Sequence, residues 1–438
     1  MQPGDQIELD VTSVAHGGVF VGRHEGRVVF VPDAIPGERV RVQLTQTGDK
    51  AFWRGETIEV QDASPHRRAH VWPQADVDVP PEQRPGGADF GHIDLDHQRT
   101  LKLQVLQDAL TRMGGVDLPV RITSVEGDDG TRWRTRVSLH VDDDARIGPF
   151  AARSHRVVPV DDLPLATHEI ADAAAQLRAT APGRIDLVVP ADGRVRVLPR
   201  PARDTRSAHQ PGAHRPTAGR VRPHGPRPER ETIVEQVSGR QFQLDAGGFW
   251  QVHRRAAAAL TDLVASFLPE LDPEGLHLDL YGGVGLFAAV LGDAGAAHII
   301  SVESDARATA HADHNLAAWP GARAQAARVD RWLPQFRDCA DARELGRVRG
   351  GVVVLDPPRS GAGAAVVTEI AALAPASVVY VACDPVALAR DLKTFRQHGY
   401  EAAEVRAVDL FPNSHHVEAV ASLNRVTREG DGRDSLIP

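Results

Sequence analysis

Two cysteines, Cys339 and Cys383, are all that 438 residues contain. They cannot build a disulfide framework, and no CxxC metal pair exists, which points to a reducing compartment and an expected cytoplasmic protein. Lysine is almost as scarce, with only Lys50, Lys102 and Lys393. Positive charge is therefore carried by arginine, a side chain suited to phosphate recognition. Aromatic residues amount to 5%, so few stacking platforms are on offer. No apolar run approaches the 18 residues of a membrane-spanning helix, and Met1-Gln2-Pro3-Gly4-Asp5 lacks the basic and apolar regions of a secretion leader. A net charge of −9 argues against bulk non-specific binding to nucleic acid but not against a local basic track.

Apolar residues at 42% and charged residues at 25% describe a globular chain long enough for two or three domains. Residues 1–60 read as strands. Ile7, Leu9 and Val11 alternate with Glu8 and Asp10; Val28-Val29-Phe30-Val31 follows a turn at Glu25-Gly26; Val40, Val42 and Leu44 alternate with Arg39, Arg41 and Gln43. Five short strands in that span predict a small OB-like barrel, any other small β-domain being the plainer alternative. Residues 61–91 are punctuated by five prolines and read as a linker.

Residues 92–199 are expected to form a small central α+β domain. Its helix carries Leu101, Val105, Leu106, Leu110 and Met113 along one face and stops at Gly114-Gly115, and strands are predicted at 132–141 and 185–197. Residues 200–230 hold eight arginines and six prolines against two acids, the pattern of a flexible loop or of a phosphate-contacting arm. Over 231–424 strands alternate with helices, which predicts a mostly parallel sheet with strands at 276–280, 298–302, 351–355 and 378–381. Residues 425–438 read as a disordered tail.

The strand Leu276-His277-Leu278-Asp279-Leu280 runs into Tyr281-Gly282-Gly283-Val284-Gly285 and then an apolar helix from Leu286. Such a turn brings backbone N–H groups close to a ligand, and Glu303, at the end of the next strand, can accept hydrogen bonds from both hydroxyls of a ribose. Three further motifs fall at strand ends. These are Asp356-Pro357-Pro358-Arg359-Ser360-Gly361, then Tyr380-Val381-Ala382-Cys383-Asp384-Pro385, then Asp409-Leu410-Phe411-Pro412-Asn413-Ser414-His415-His416-Val417-Glu418. Carboxyl ends of parallel strands form the ligand crevice of an open α/β sheet. Each motif also has a bland alternative: a lone cysteine is commonly a small buried hydrophobe, and His415, His416 or Glu418 could be ordinary polar residues.

Taken together, these motifs resemble the RNA 5-methyluridine methyltransferase family, S-adenosylmethionine-dependent enzymes acting on transfer or ribosomal RNA. Gly22-Arg23 and the run from Phe30 to Val40 resemble its N-terminal TRAM domain, and residues 239–424 its Rossmann-like class I methyltransferase domain. The resemblance implies that Cys383 adds to carbon 6 of uracil and that Glu418 removes the carbon-5 proton. It assigns cofactor contacts to Gln251, Tyr281, Gly283, Gly285, Leu286, Glu303, Asp330 and Asp356, and substrate contacts to Arg359, Phe249 and His416. Expected partners are RNA and S-adenosylmethionine, with no membrane and a monomer as the default state.

Many relatives hold an iron–sulfur cluster with four cysteines in the segment corresponding to 61–91. Here that segment has none, Ala88 stands at one expected ligand place, and no cluster or other metal is expected. Other departures are His253 for the usual asparagine, Gly282 for a frequent cysteine, Ala382 for a frequent serine, and Asn413 for a histidine, glutamine or tyrosine. Arg132, Arg134, Arg136 and the 200–230 segment are the basic candidates for RNA contact, while Phe52, Trp53, Trp133 and Trp250 read as core sooner than as stacking platforms. Two competing readings are an RNA cytosine-C5 methyltransferase and an idle RNA-binding or RNA-folding protein that retains the fold.

Overall fold

The computed structural model describes residues 1–48, 51–125, 129–179, 181–202 and 228–426. The Arg/Pro-rich stretch between Ala202 and Pro228 and the tail after Val426 lie outside them. Among the described residues no helix is long and apolar enough to cross a membrane.

Strands β1 (Gln6–Ala15), β2 (Val19–His24), β3 (Arg27–Val31), β4 (Arg39–Gln46) and β5 (Phe52–Asp62) close into a barrel in the order β1-β2-β3-β5-β4. Alternation decides which residues face inward: Ile7, Leu9 and Val11 of β1 and Val40, Val42 and Leu44 of β4 are buried, with charged neighbours outside. Closure removes free edges.

Helix α1 (Leu95–Ala109) begins six residues before Leu101 and ends in a wide turn at Leu110–Gly114, stopped by Gly115 in the left-handed region (φ 62°). Leu101, Leu106 and Leu110 are buried as expected, but Met113 is exposed, because the wider turn rotates it off the packed face. A second correction concerns the expected central domain. Strand β6 (Arg121–Ser124) pairs in parallel with a strand near the C-terminus, and Leu106, Leu110 and Val120 pack into the core of the large sheet. The 92–199 segment is therefore divided, its first third built onto the large sheet. The remainder is a four-stranded sheet, β10-β9-β7-β8, from β7 (Arg136–Val141), β8 (Ile147–Gly148), β9 (Gly183–Val188) and β10 (Arg196–Pro201), with helix α2 (His168–Ala175). The predicted strand at 185–197 is really a hairpin: Gly193 adopts φ 72° and turns the chain between β9 and β10.

A two-stranded hairpin, β11 (Thr232–Val237) and β12 (Arg240–Asp245), and α3 (Ala256–Phe267) lead into the large domain. Its elements alternate: β13 (Leu276–Leu280), α4 (Leu286–Asp293), β14 (His298–Glu303), α5 (Ala306–Asn315), β15 (Ala322–Ala326), α6 (Val329–Cys339), α7 (Ala342–Arg349), β16 (Val352–Leu355), α8 (Ala364–Leu373), β17 (Ser377–Ala382), α9 (Pro385–Gln397), β18 (Tyr400–Asp409) and β19 (Glu418–Arg425). The sheet order is β15-β14-β13-β16-β17-β19-β18-β6, parallel except for β19. Helices cover both faces, which is why β13, β16 and β17 are buried along their whole length.

Two cations of α1, Lys102 and Arg99, face Asp409 at the far end of this sheet. Lys102 Nζ donates to Asp409 Oδ1 (2.6 Å) and to the Phe411 carbonyl (2.9 Å), and both side chains are fully buried. Lys102→Met leaves the buried Asp409 charge with only Arg99, 3.8 Å away, and the expected loss is about 3 kcal/mol in denaturant unfolding. A loss below 1 kcal/mol would show the pair to be dispensable.

Candidate active site

The strand order changes direction between β13 and β16, and the carboxyl ends of β13, β14, β16 and β17 open onto one cleft of about 1100 Å³. Tyr281 follows β13 at φ 63°, a left-handed conformation rare for a side-chain-bearing residue and a point of local strain. Gly283 is also left-handed (φ 56°), and no atom lies within 4 Å of the place a Cβ would take, so ligand atoms can approach the backbone there. Beneath the turn, Asp279 accepts from Ser301 Oγ (2.8 Å) and from the Ala288 N–H (3.2 Å). A Cβ on Gly282 would fall 2.0 Å from Ser301 Oγ, so this pair fills the space a cysteine at 282 would need.

Glu303 closes β14 and is held by three donors, the N–H groups of Gly283 (3.2 Å) and Asp305 (2.7 Å) and Ser304 Oγ (3.0 Å). A carboxylate fixed in this way at the cleft wall presents its remaining lone pairs in one direction, as a ribose diol requires. Across the cleft lie Gln251, Phe249 and Asp330, the last paired with Arg328 at 2.8 Å. Gly285 and Leu286 start α4; Leu286 is buried below the cleft, not part of its lining. The residues fit S-adenosylmethionine: an open glycine turn, a fixed ribose acid, and room for an adenosyl group beside Asp330. Glu303→Ala is expected to weaken S-adenosylhomocysteine binding about 10- to 100-fold by calorimetry, the worth of charge-assisted hydrogen bonds. Unchanged affinity would remove Glu303 from the cofactor site.

Register explains how distant motifs meet. Ala382 of β17 is paired with Ala419 of the antiparallel β19. One further step in that register sets Cys383 opposite Glu418. Asp356 follows β16, and its N–H donates to the Leu280 carbonyl (3.2 Å), which ties it to the start of the glycine turn. The Arg359 loop is anchored by buried Asp391, which accepts from the Ala362 N–H (2.7 Å) and from Tyr380 Oη (2.8 Å). Asp384, the acid beside Cys383, caps α9 by accepting from the Ala387 N–H (2.8 Å) and lies 2.9 Å from His16 Nε2 of the barrel.

The electrostatics are those of crowded acids. Burial, with Glu418 and Asp356 adding to it and Arg359 opposing, pushes the Cys383 thiol up to about 12. Burial and Asp356 likewise push Glu418 well above the usual carboxylate range, and burial with the charge of Asp279 takes Asp356 to about 7. His416, 3.4 Å from Arg359 Nη2, is held neutral by burial and neighbouring cations, its value about 3. Burial also lifts Asp279 to about 7, with Glu303 adding to the shift. A carboxyl raised from 3.8 favours the folded state while protonated, so its contribution is present below pH 3.8 and is lost as pH rises towards 7. Asp279→Asn is expected to flatten the fall in melting temperature between pH 5 and 8, with a gain on the order of a few kcal/mol at pH 8. Parallel pH profiles for variant and parent would contradict this.

The structure brings Gln251, Phe249, Tyr281, Gly283, Glu303, Asp330, Asp356, Arg359, Cys383, His416 and Glu418 to one cleft. It does not bring His253 there: its ring is buried against Trp133 (5.3 Å), so the departure at 253 lies behind the site. Of the basic candidates, Arg132 pairs with Asp162 (2.5 Å) and Arg136 donates to the carbonyls of Ala246 and Gly248, while Arg134 lines the cleft. Trp53, Trp133 and Trp250 are buried, Phe52 is half-buried, and Phe249, in the lining of the cleft, is 75% exposed. Among the described residues no group of three or more His, Cys, Asp or Glu could hold a metal ion. The segment lacking cluster cysteines is held by polar contacts: Asp89 Oδ2 meets His415 Nδ1 (2.5 Å), and Arg68 Nη2 and Gln98 Nε2 donate to Asn413 Oδ1 (2.5 and 3.0 Å).

Fold and cleft together define a class I methyltransferase preceded by a small barrel. Residues 1–52 match the TRAM domain and residues 272–426 match tRNA (Uracil-5-)-methyltransferase. An RNA methyltransferase of Streptomyces avermitilis is 35% identical over 96% of this chain and 98% of its own length, and one of Bifidobacterium longum is 35% identical over 96% and 97%. The 23S rRNA (uracil(1939)-C(5))-methyltransferase RlmD of Shewanella sediminis is 27% identical over 95% of each chain. The crystal structure of Pyrococcus abyssi tRNA (uracil-54, C5)-methyltransferase in complex with S-adenosyl-L-homocysteine shares the fold, with a TM-score of 0.65 at 20% identity, covering 95% of this chain and 100% of that one. The chain belongs to the family of S-adenosylmethionine-dependent RNA (uracil-5-)-methyltransferases.

Proposed function

We propose that the protein methylates carbon 5 of a uridine in transfer or ribosomal RNA through a covalent adduct between Cys383 and carbon 6. The observation that carries this reading is the convergence of Cys383, Glu418 and Asp356 in one cleft with the glycine turn and Glu303. Carbon 5 of uracil is a weak nucleophile, and addition of a thiolate at carbon 6 places negative charge on it. Bound S-adenosylmethionine supplies an electrophilic methyl group and a positive charge in a cleft otherwise crowded with acids.

Cys383 loses its proton to a neighbouring carboxylate, for which Asp356, at about 7, is matched to neutral pH. The Arg359 guanidinium favours both the thiolate and the developing charge on the base. After carbon 5 has taken the methyl group, Glu418, as carboxylate, removes the carbon-5 proton, and re-formation of the C5–C6 double bond expels the Cys383 sulfur. The base reaches this depth only out of its stack, at a cost of a few kcal/mol, so the target is expected in a loop or an opened segment. Phe249, beside Gln251 at the mouth, is placed to stack on it.

Nucleoside mass spectrometry tests the reading. Unmodified transfer and ribosomal RNA pools are incubated separately with protein and methyl-labelled S-adenosylmethionine. Labelled 5-methyluridine in one pool is expected, whereas label in 5-methylcytidine alone would overturn the uridine assignment.

A further inference from the structure

The turn between β1 and β2 carries the barrel to the reactive centre. His16 and the left-handed Gly17 and Gly18 form it, and a Cβ on Gly18 would fall 2.7 Å from His415 Nδ1, so the turn is seated against the loop that leads into Glu418. A small cavity of about 130 Å³ remains between them, and Cys383 and Asp384 lie in its wall together with His16. His16 Nε2 donates to Asp384 Oδ2 (2.9 Å). The other charged and titratable groups of that wall are engaged elsewhere: Lys102 holds Asp409, His415 holds Asp89, and Arg359 lies against His416. Among the described residues His16 is thus the one cation paired with Asp384.

Asp384 follows Cys383 directly in the chain, and its charge matters because of how the other acids behave. Burial is the chief obstacle to a thiolate at Cys383, and the charges of Glu418, Asp356 and Asp384 add to it. Glu418 and Asp356 are themselves pushed up, towards the neutral form in which they no longer oppose the thiolate. Asp384 differs. Burial works against its charge, but His16 and the N–H groups of Ala387 and Val386 outweigh burial and hold its carboxyl below the usual range. It therefore stays ionised beside the sulfur at neutral pH. The hydrogen bond to Asp384 in turn lifts His16 above the usual histidine value, with burial opposing, which keeps a positive charge at the turn further into the neutral range.

We propose that His16 is a positioning residue of the methyltransferase site: its imidazolium, supplied by the barrel, offsets the charge of Asp384 and so favours the Cys383 thiolate. The barrel is then part of the catalytic unit, since the charge balance around the sulfur is complete only with this turn in place. The inference rests on the reading of Cys383 as the attacking group.

The test is the rate at which iodoacetamide alkylates Cys383 in the full-length protein, read by peptide mass spectrometry with exposed Cys339 as the internal reference. His16→Gln is expected to slow alkylation of Cys383 about fivefold at about pH 6.5, where the parent carries the imidazolium, and less than about twofold at about pH 9, where it does not. Asp384→Asn keeps an acceptor for the cap of α9 and removes the charge. Combined with His16→Gln it should restore the parent rate at the lower pH, and alone it should exceed the parent at the higher one. A merely structural turn would give the same loss at both pH values and no rescue. That result, or unchanged alkylation in His16→Gln, would overturn the proposal. Should His16→Gln fail to fold, Asp384→Asn alone decides the matter, and a rate at the higher pH no faster than the parent's would overturn it. Failure of the Cys383 reading is visible separately, as an absence of any protein–RNA adduct at Cys383 while the pH-dependent difference in alkylation stands.

Discussion

Glu418→Gln is expected to become covalently attached to its RNA and to stay so. The glutamine keeps the shape of the side chain at the head of β19 but cannot accept the carbon-5 proton. Addition of Cys383 and capture of the methyl group remain open to this variant, while elimination does not. Turnover should fall by about 10²–10⁴-fold, the usual worth of a general base, while a protein–RNA species resistant to denaturing electrophoresis accumulates. Glu418 is buried, and burial with Asp356 pushes it above the usual carboxylate range, so a neutral glutamine of the same shape meets a site that disfavours the charge. The fold should therefore tolerate it, with a melting temperature within a few degrees of the parent. A variant that is inactive with no adduct would place the role of Glu418 before methyl transfer instead of after it.

Cys383→Ala gives the complementary result. Without the sulfur no adduct forms, carbon 5 stays a poor nucleophile, and activity should fall by at least about 10⁴-fold, as for other nucleophile deletions. S-adenosylhomocysteine affinity should hold within about threefold, because the cofactor contacts lie with Glu303, Tyr281 and the glycine turn. The doubly substituted protein should form no adduct, which separates the two roles. Residual methylation within tenfold of the parent would mean that a different group activates the base.

These expectations depend on features of unequal legibility. The apolar strands at 276–280, 351–355 and 378–381 stand out in the sequence because helices cover both faces of the sheet and every side chain along them is buried. The motifs after them could be placed at one crevice from topology alone. The juxtaposition of Cys383 and Glu418 could not, since it comes from the antiparallel register of β17 and β19, with β18 paired on the outer side. β6 is four residues long and mostly exposed, so no periodicity announces that it completes a sheet whose other strands begin 150 residues later.

Buried polar residues were the least legible. Lys102 sits on the apolar face of α1 between Leu101 and Leu106, and its rarity as one of three lysines was the one available signal. Asp279 interrupts an apolar strand and underlies the glycine turn, yet in sequence it is one acid among many. His16 and Asp89 reach the catalytic loops from the barrel and from the segment after it, contacts that only the folded chain creates. Asp384, which in sequence weighs against a thiolate at Cys383, is accounted for as the cap of α9.

The central claim is the bond between Cys383 and carbon 6 of the target base. RNA containing 5-fluorouridine tests it most directly, since fluorine at carbon 5 cannot be removed as a proton and elimination stops. After incubation with S-adenosylmethionine, the protein is digested and the peptides examined by mass spectrometry. The account predicts that the peptide containing Cys383 carries one methylated fluorouridine nucleotide, attached at that residue. Attachment at any other residue, or steady methylation of ordinary RNA with no trapped species from the fluorinated one, would contradict it.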